Sequence, residues 1–286
     1  MRSTDGGSTW TQMVNGIDRP KPNRVAVAPS DPQVMYLTAP GAGVYRSRDQ
    51  GSSWERTPTP LAARNIAQLA VSPVLPNVVF AAGSSAGLFR TTNGGDGWTA
   101  VGSFGRVTAV VFSSSRVVVG DVNGAVYGSS DNGSTWVPST GTVSGDMVTA
   151  AAALVPPATG GGVFVGTLGG RLFRSTDRGA SFVEVGSGLP DEQITGIALS
   201  NNYATDGTLW LTVWNSGAYR STNRGATFSK TSVGLTTDPQ AAEVGRPQFG
   251  GVTVTPAPNG GQVLFVAGFD GLFRSDDRAN HWVQIQ

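Results

Sequence analysis

Short apolar runs alternate along this chain with clusters of glycine, asparagine, aspartate and serine, and the runs have strand length. Residues 107–138 show the pattern most clearly. Val107 to Phe112 is almost continuously apolar, as an innermost strand covered on both faces requires. Arg116 to Asp121, carrying Val117, Val118 and Val119, predicts a second strand, and Asn123-Gly124 is a two-residue hairpin signal. Ala125 to Ser129 predicts a third strand, Asp131-Asn132-Gly133 a turn, and Thr135-Trp136-Val137 the start of a fourth. The same order predicts inner strands at 24–28, 67–71, 149–154, 194–199 and 250–254. Second strands follow at 34–38, 78–82, 163–167, 208–213 and 263–267. Six four-stranded units result, the last running to Val283-Gln284-Ile285, while residues 1–14 hold only the last two strands of a seventh.

The turn between third and fourth strands is one phrase written seven times. It spans Ser3–Trp10, Ser47–Trp54, Thr91–Trp98, Ser129–Trp136, Ser175–Phe182, Ser221–Phe228 and Ser275–Trp282. Its third position is Asp5, Asp49, Asn93, Asp131, Asp177, Asn223 and Asp277, so successive copies lie 44, 44, 38, 46, 46 and 54 residues apart. A period near 45 residues with four strands per period predicts an all-β fold, a β-propeller of four-stranded antiparallel blades. The expected ring has six complete blades plus a half blade at the N-terminus, six- or seven-fold, as one domain over residues 1–286. Its first residues open in mid-repeat, which predicts inner strands from upstream sequence or an open end covered by a partner chain.

The chemistry of the phrase is structural. A short carboxylate or amide at the third position accepts hydrogen bonds from the N–H groups of its own turn. Two residues on, glycine permits the positive φ of a tight turn, and Ala279 alone departs, which predicts strain there. Asn93 and Asn223 keep the acceptor oxygen without the charge, so the position needs geometry rather than acidity.

Composition narrows the function classes. Forty glycines and seventeen prolines suit many short strands. A net charge of +1 from 20 basic and 19 acidic residues, with no basic run, argues against bulk attraction to nucleic acid or a membrane surface. There is no cysteine, hence no disulfide or thiolate metal site, and the lone His281 lies inside the last box. No membrane-length apolar stretch and no signal peptide are visible. No metal and no cofactor are expected.

Ser-x-Asp-x-Gly-x-Thr-Trp resembles the Asp-box, or BNR, repeat, and the matches cover the entire chain. Proteins with this repeat include sialidases, xyloglucan-cleaving glycosidases, sortilin-type receptor domains and photosystem II assembly factors. The resemblance implies a propeller whose boxes lie on the face away from the functional one, and an extracytoplasmic location. For sialidases it implies an arginine triad, a Tyr–Glu pair, an Asp acid/base and an Arg-Ile-Pro phrase. No Arg-Ile-Pro occurs here. Tyr45, Tyr127 and Tyr219 occupy a third-strand position filled by Phe89, Phe173 and Phe273 in sister repeats, and six arginines precede boxes as repeat consensus. A glycosidase therefore stands as the alternative, with Asp121, Asp146, Asp191, Glu192 and Asp270 as its remaining carboxyls.

Residues outside the consensus mark the candidate binding face. Loops entering the first strands supply Arg24, Arg64, Arg106 and Arg246, a candidate ring around the channel mouth. Hairpins joining second to third strands supply Arg171, Trp214 and Asp270. Trp214 stands out against small counterparts at Ala39, Gly83, Gly120, Thr167 and Gly268. Ser229 to Phe249 is the longest connection, and long loops on rigid scaffolds often carry function. The sequence thus predicts a non-catalytic binding or scaffold module, for a protein or glycan partner, within a larger assembly.

Overall fold

A computed structural model describes residues 1–18, 22–58, 61, 65–83, 87–141, 145–154, 162–235, 248–257, 261–269 and 271–285. Six four-stranded antiparallel sheets follow one another along the chain. Blade 1 is β1 (Arg24–Ala28), β2 (Asp31–Ala39), β3 (Gly43–Ser47) and β4 (Glu55–Arg56); blade 2 is β5 (Ile66–Val71), β6 (Val79–Gly83), β7 (Gly87–Thr91) and β8 (Thr99–Val101). Blade 3 is β9 (Val107–Ser113), β10 (Arg116–Asp121), β11 (Val126–Ser129) and β12 (Val137–Pro138); blade 4 is β13 (Val148–Ala153), β14 (Val163–Thr167), β15 (Leu172–Ser175) and β16 (Val183–Val185). Blade 5 is β17 (Ile194–Leu199), β18 (Leu209–Val213), β19 (Gly217–Ser221) and β20 (Ser229–Lys230); blade 6 is β21 (Phe249–Pro256), β22 (Gln262–Gly268), β23 (Gly271–Ser275) and β24 (Val283–Gln284). Each sheet keeps sequence order from the axis outwards, so every link is a local hairpin. One element was not expected from the pattern: α1 (Tyr203–Asp206), a single turn between β17 and β18 ended by Gly207 at φ 60°.

The blades hold together face to face. The core residues of β6, Phe80 and Ala82, pack with Ala70 against Val110, Phe112, Val117 and Val119 of the next blade. Phe80 meets Phe112 edge-on at 5.6 Å and the box ring Trp136 at 6.2 Å, geometries that add to area burial. A side chain on Gly133 would stand 2.7 Å from Phe80 Cε1, so the box glycine is needed for close approach of the next blade as well as for its φ of 83°. Box rings Trp54, Trp98, Phe182, Phe228 and Trp282 are all buried in the same layer.

Residues 1–14 form no continuous strand pair. They hold a single antiparallel bridge between Arg2 and Thr11 and a complete box turn, so the expected half blade is not confirmed as strands. Nor does β21 pack on β1 as successive inner strands do elsewhere in the ring. Val25 and Val27 of β1 are 61% and 46% exposed, whereas their counterparts by register, Val110 and Phe112, are each 6% exposed.

Candidate functional site

The boxes and the opposite face do different work. In the box of blade 3, Ser129 Oγ donates to Asp131 Oδ1 at 2.7 Å and accepts from the Gly133 N–H at 2.7 Å. Asp131 Oδ1 also accepts the Thr135 N–H at 2.9 Å, and Oδ2 accepts the Thr135 hydroxyl at 2.6 Å. Donors aimed at a carboxylate favour its charged form. Accordingly, the hydroxyl and N–H of Ser53 and the hydroxyl of Ser47 hold Asp49 at about 2. Asp177 is drawn to about 2 by Ser181 and Ser175, against the opposing effect of its partial burial.

The asparagine boxes show why charge is dispensable. Asn93 Oδ1 accepts the Thr91 hydroxyl at 2.7 Å and the Gly97 N–H at 2.9 Å, and Gly97 has no hydroxyl to place. At Asn223 the amide Nδ2 donates to Thr227 Oγ1 at 2.8 Å, reversing the bond that an aspartate receives. Both turns keep the Oδ1 acceptor that orders the backbone. The remaining boxes at Asp5 and Asp277 accept the N–H four residues on at 2.9 and 3.0 Å. Ala279 does sit at positive φ, 68°, as the departure from glycine implied.

On the opposite face, the first residue of the second-to-third hairpin in blades 3 to 6 bonds the residue just before the inner strand. Val122 N–H donates to Arg106 O at 3.0 Å, Leu168 to Met147 at 2.9 Å, Trp214 to Gln193 at 2.8 Å and Phe269 to Gln248 at 3.3 Å. These bonds align Trp214 with Val122, Leu168 and Phe269, which follow the small residues Gly120, Thr167 and Gly268 by two, one and one positions. Trp214 is therefore one member of an apolar series on consecutive hairpin tips. Leu168 is 48% and Phe269 83% exposed, and the Trp214 and Phe269 rings meet edge-to-face at 6.5 Å.

Of the candidate arginines, Arg24, Arg106 and Arg171 lie among the described residues, and their settings differ. Arg24 lines the central channel, a space of about 120 Å³ bounded by all six inner strands and shared with Gln68, Thr149, Thr195 and Gly251. Its guanidinium is reached by solvent but ringed by inner-strand atoms, and that desolvation lowers its pKa. Arg106 lies on the surface with Nη2 3.5 Å from Met147 Sδ. Arg171 is committed to a forked ion pair with Glu184, Nε to Oε1 at 3.0 Å, and lies 5.0 Å over the Phe173 ring. Arg64, Arg246 and Asp270 lie outside the described residues, as does most of the long connection before β21.

Two carboxyls of the alternative reading, Asp121 and Asp146, have local structural duties. Buried Asp121 caps its own hairpin, Oδ1 accepting the N–H groups of Asn123 and Ala125 at 2.9 Å each. Asp146 Oδ1 accepts the Gly169 N–H at 3.0 Å, tying the strand entry to the next hairpin tip. Asp191 is exposed and Glu192 half-buried. None of these four lines the channel, nor the larger cavity of about 310 Å³ between residues 1–17 and blade 1. Among the described residues, no helix is long and apolar enough to cross a membrane.

A family model described as Sortilin, neurotensin receptor 3 (Sortilin-Vps10) matches residues 1–121. No curated protein matches the sequence. The GH74 xyloglucanase from Xanthomonas campestris is 20% identical with a TM-score of 0.76, covering 98% of this chain and 50% of that one. The chain thus spans about half the length of that enzyme. YCF48 from Cyanidioschyzon merolae is 15% identical with a TM-score of 0.66, over 92% of this chain and 84% of that one. YCF48 bound to D1 peptide is also 15% identical, with a TM-score of 0.62, over 94% and 86%. At these identities the likeness is one of fold, and the fold is shared by an enzyme and by a peptide-bound protein.

Proposed function

Because the chain is an Asp-box β-propeller, we propose that it is a binding module whose working surface is the hairpin face opposite the boxes. One observation carries this: Leu168, Trp214 and Phe269 place apolar side chains at equivalent tips of three consecutive blades, with Phe269 almost wholly in water. A large aromatic held out on a rigid β-scaffold is the kind of group that anchors a protein interface. The backbone bonds that fix each tip keep these groups in place before a partner arrives, which lowers the entropy lost on binding. The partner class this surface fits best is an extended polypeptide crossing blades 4 to 6, with apolar residues meeting the tips. That YCF48 carries a bound D1 peptide on the same fold supports the reading. The Asp-box resemblance also supports an extracytoplasmic location.

The test is a phage-displayed peptide library selected on the intact protein, followed by titration of the selected peptides. Peptides whose affinity falls by about 1–3 kcal/mol with Phe269→Ala or Trp214→Ala, and not with changes in the boxes, are the expected result. Selected ligands indifferent to both aromatics would overturn the assignment. So would turnover of aryl glycosides or xyloglucan oligosaccharides that depends on Asp146, Asp191 or Glu192.

A further inference from the structure

The loop leading into blade 5 holds a carboxylate out between two of the apolar hairpin tips. The Glu192 N–H donates to Pro190 O at 2.8 Å, closing a three-residue turn with exposed Asp191 at its apex. One side of this turn is pressed onto the tip of blade 4. A side chain on Gly170, at φ 84°, would stand 2.4 Å from Pro190 O and 2.6 Å from Glu192 N. The other side is tied to the tip of blade 5, where the Trp214 N–H donates to Gln193 O at 2.8 Å. The order along the ring is therefore Leu168, Asp191, Trp214 and Phe269.

The charge around that point is negative. Glu192 follows Asp191 directly, and Asp146 is bound to the same blade 4 tip through the Gly169 N–H. The basic side chains of this part of the ring are occupied or peripheral. Arg171 is forked to Glu184, Arg106 lies against Met147 between the entries to blades 3 and 4, and Lys230 belongs to the outermost strand β20. Among the described residues no basic side chain pairs with Asp191. A carboxylate on a turn braced from both sides loses little freedom when a cation reaches it.

We propose that the polypeptide received by this face is basic: a Lys or Arg side chain meets Asp191 between the tips of blades 4 and 5, and apolar residues on either side of it cover Leu168 and the Trp214–Phe269 pair. The inference rests on the hairpin-tip reading and adds the partner's charge to it. The apolar tips supply the anchoring area, while the carboxylate fixes register and rejects acidic segments, the division of labour expected of charges at an interface. A cation held beside Trp214 gains further from the face of its ring.

The probes are random dodecapeptides displayed on phage, selected in parallel on the intact protein and on its Asp191→Lys variant, then synthesised with fluorescein and titrated by anisotropy. Asp191 is exposed, so the variant should keep the Tm of the parent. We expect peptides that need Trp214 or Phe269 to carry Lys or Arg flanked by apolar residues. Their affinity should fall about tenfold with Asp191→Lys, and fall again as NaCl rises from about 50 to about 500 mM. Exchanging the peptide's basic residue for Glu should weaken binding to the parent and restore it on Asp191→Lys, a reciprocal swap that misfolding cannot imitate. Peptides that depend on the aromatics but show no excess of basic residues, or that bind Asp191→Lys equally well, overturn this proposal and leave the hairpin-tip reading standing. Peptides indifferent to both aromatics, or a selection that yields none, overturn both.

Discussion

The seam between blades 2 and 3 and the seam between blades 6 and 1 are written in the same repeat, yet they are buried very differently. At the first, Phe80 is fully buried among Phe112, Val117 and Val119, and the box of blade 3 closes over it. At the second, the box at Gly7 and the arginine at Arg2 make the same outer contacts, but Phe265 is only half-buried and Val25 and Val27 face water. The box side of a seam therefore forms without its inner strands. Box and clasp set the spacing of blades, while the inner hairpin supplies the buried area.

That contrast can be broken by substitution, and unfolding in denaturant measures each case. The largest effect is expected for Phe80→Ala, at about 3–5 kcal/mol, with Phe265→Ala losing roughly half as much because its ring is part-solvated. Equal losses would mean that the two seams are equally packed. Next, Gly133→Ala should cost about 2–3 kcal/mol, combining a strained φ with a clash against an immobile Phe80 ring. Gly7→Ala has nearly the same φ and clash distance, but Phe265 has room to swing aside, so about 1 kcal/mol is expected. Val110→Ser should cost about 1–2 kcal/mol and Val25→Ser less than about 0.5 kcal/mol, since only the first loses buried area.

The smallest effect concerns the boxes, which should behave alike at both seams. Asp5 and Asp131 have the same hydrogen-bond partners, and each carboxyl is held well below the ordinary carboxylate range, most strongly by the hydroxyl four residues on. A carboxylate with a depressed folded pKa stabilises fully above its unfolded value near 3.8 and loses that contribution as pH falls through the folded value. For Asp49 and Asp177 the loss runs from about pH 4 to about pH 2. Asp131→Asn should fold normally and flatten the acid limb slightly, because the Thr135 hydroxyl can accept from the amide as Thr227 does. Asp131→Ala should lower Tm further than Asp131→Asn; an asparagine variant as damaged as alanine would show that charge matters after all.

Most of the fold was legible because strand period, hairpin signals and boxes all point to one architecture. The observed second strands, such as Val163–Thr167 and Leu209–Val213, fall within a residue of the apolar runs, except that β2 begins three residues early at Asp31. What the pattern could not show was packing between distant blades. Val25 and Val110 look alike in sequence, and only the absence of a neighbour exposes one of them. Trp214 stands out in sequence against small residues, whereas the backbone bonds align it with other apolar ones. The inner strands of blades 2, 4, 5 and 6 all carry the same bulge at their start, and the series Val122, Leu168, Trp214, Phe269 emerges from the hydrogen bonds of the tips. Asp121 looked like chemistry and is a hairpin cap, a duty its Asp-Val-Asn-Gly setting could have signalled. Arg171 was likewise chosen without its ion-pair partner Glu184, thirteen residues on and across a strand pair.

The self-sufficiency of the box has a consequence for how the chain reaches its native state. The hydrogen bonds of the Asp131 carboxylate and the Ser129 hydroxyl all join residues no more than four apart, from Ser129 to Thr135. Closing so short a loop costs little chain entropy, so each third-to-fourth-strand hairpin is a place where order starts early. A chain with seven such starting points does not depend on one nucleus, and neighbouring hairpins need only zip to the strands inside them. The slow step then shifts from forming blades to bringing the two ends of the ring together.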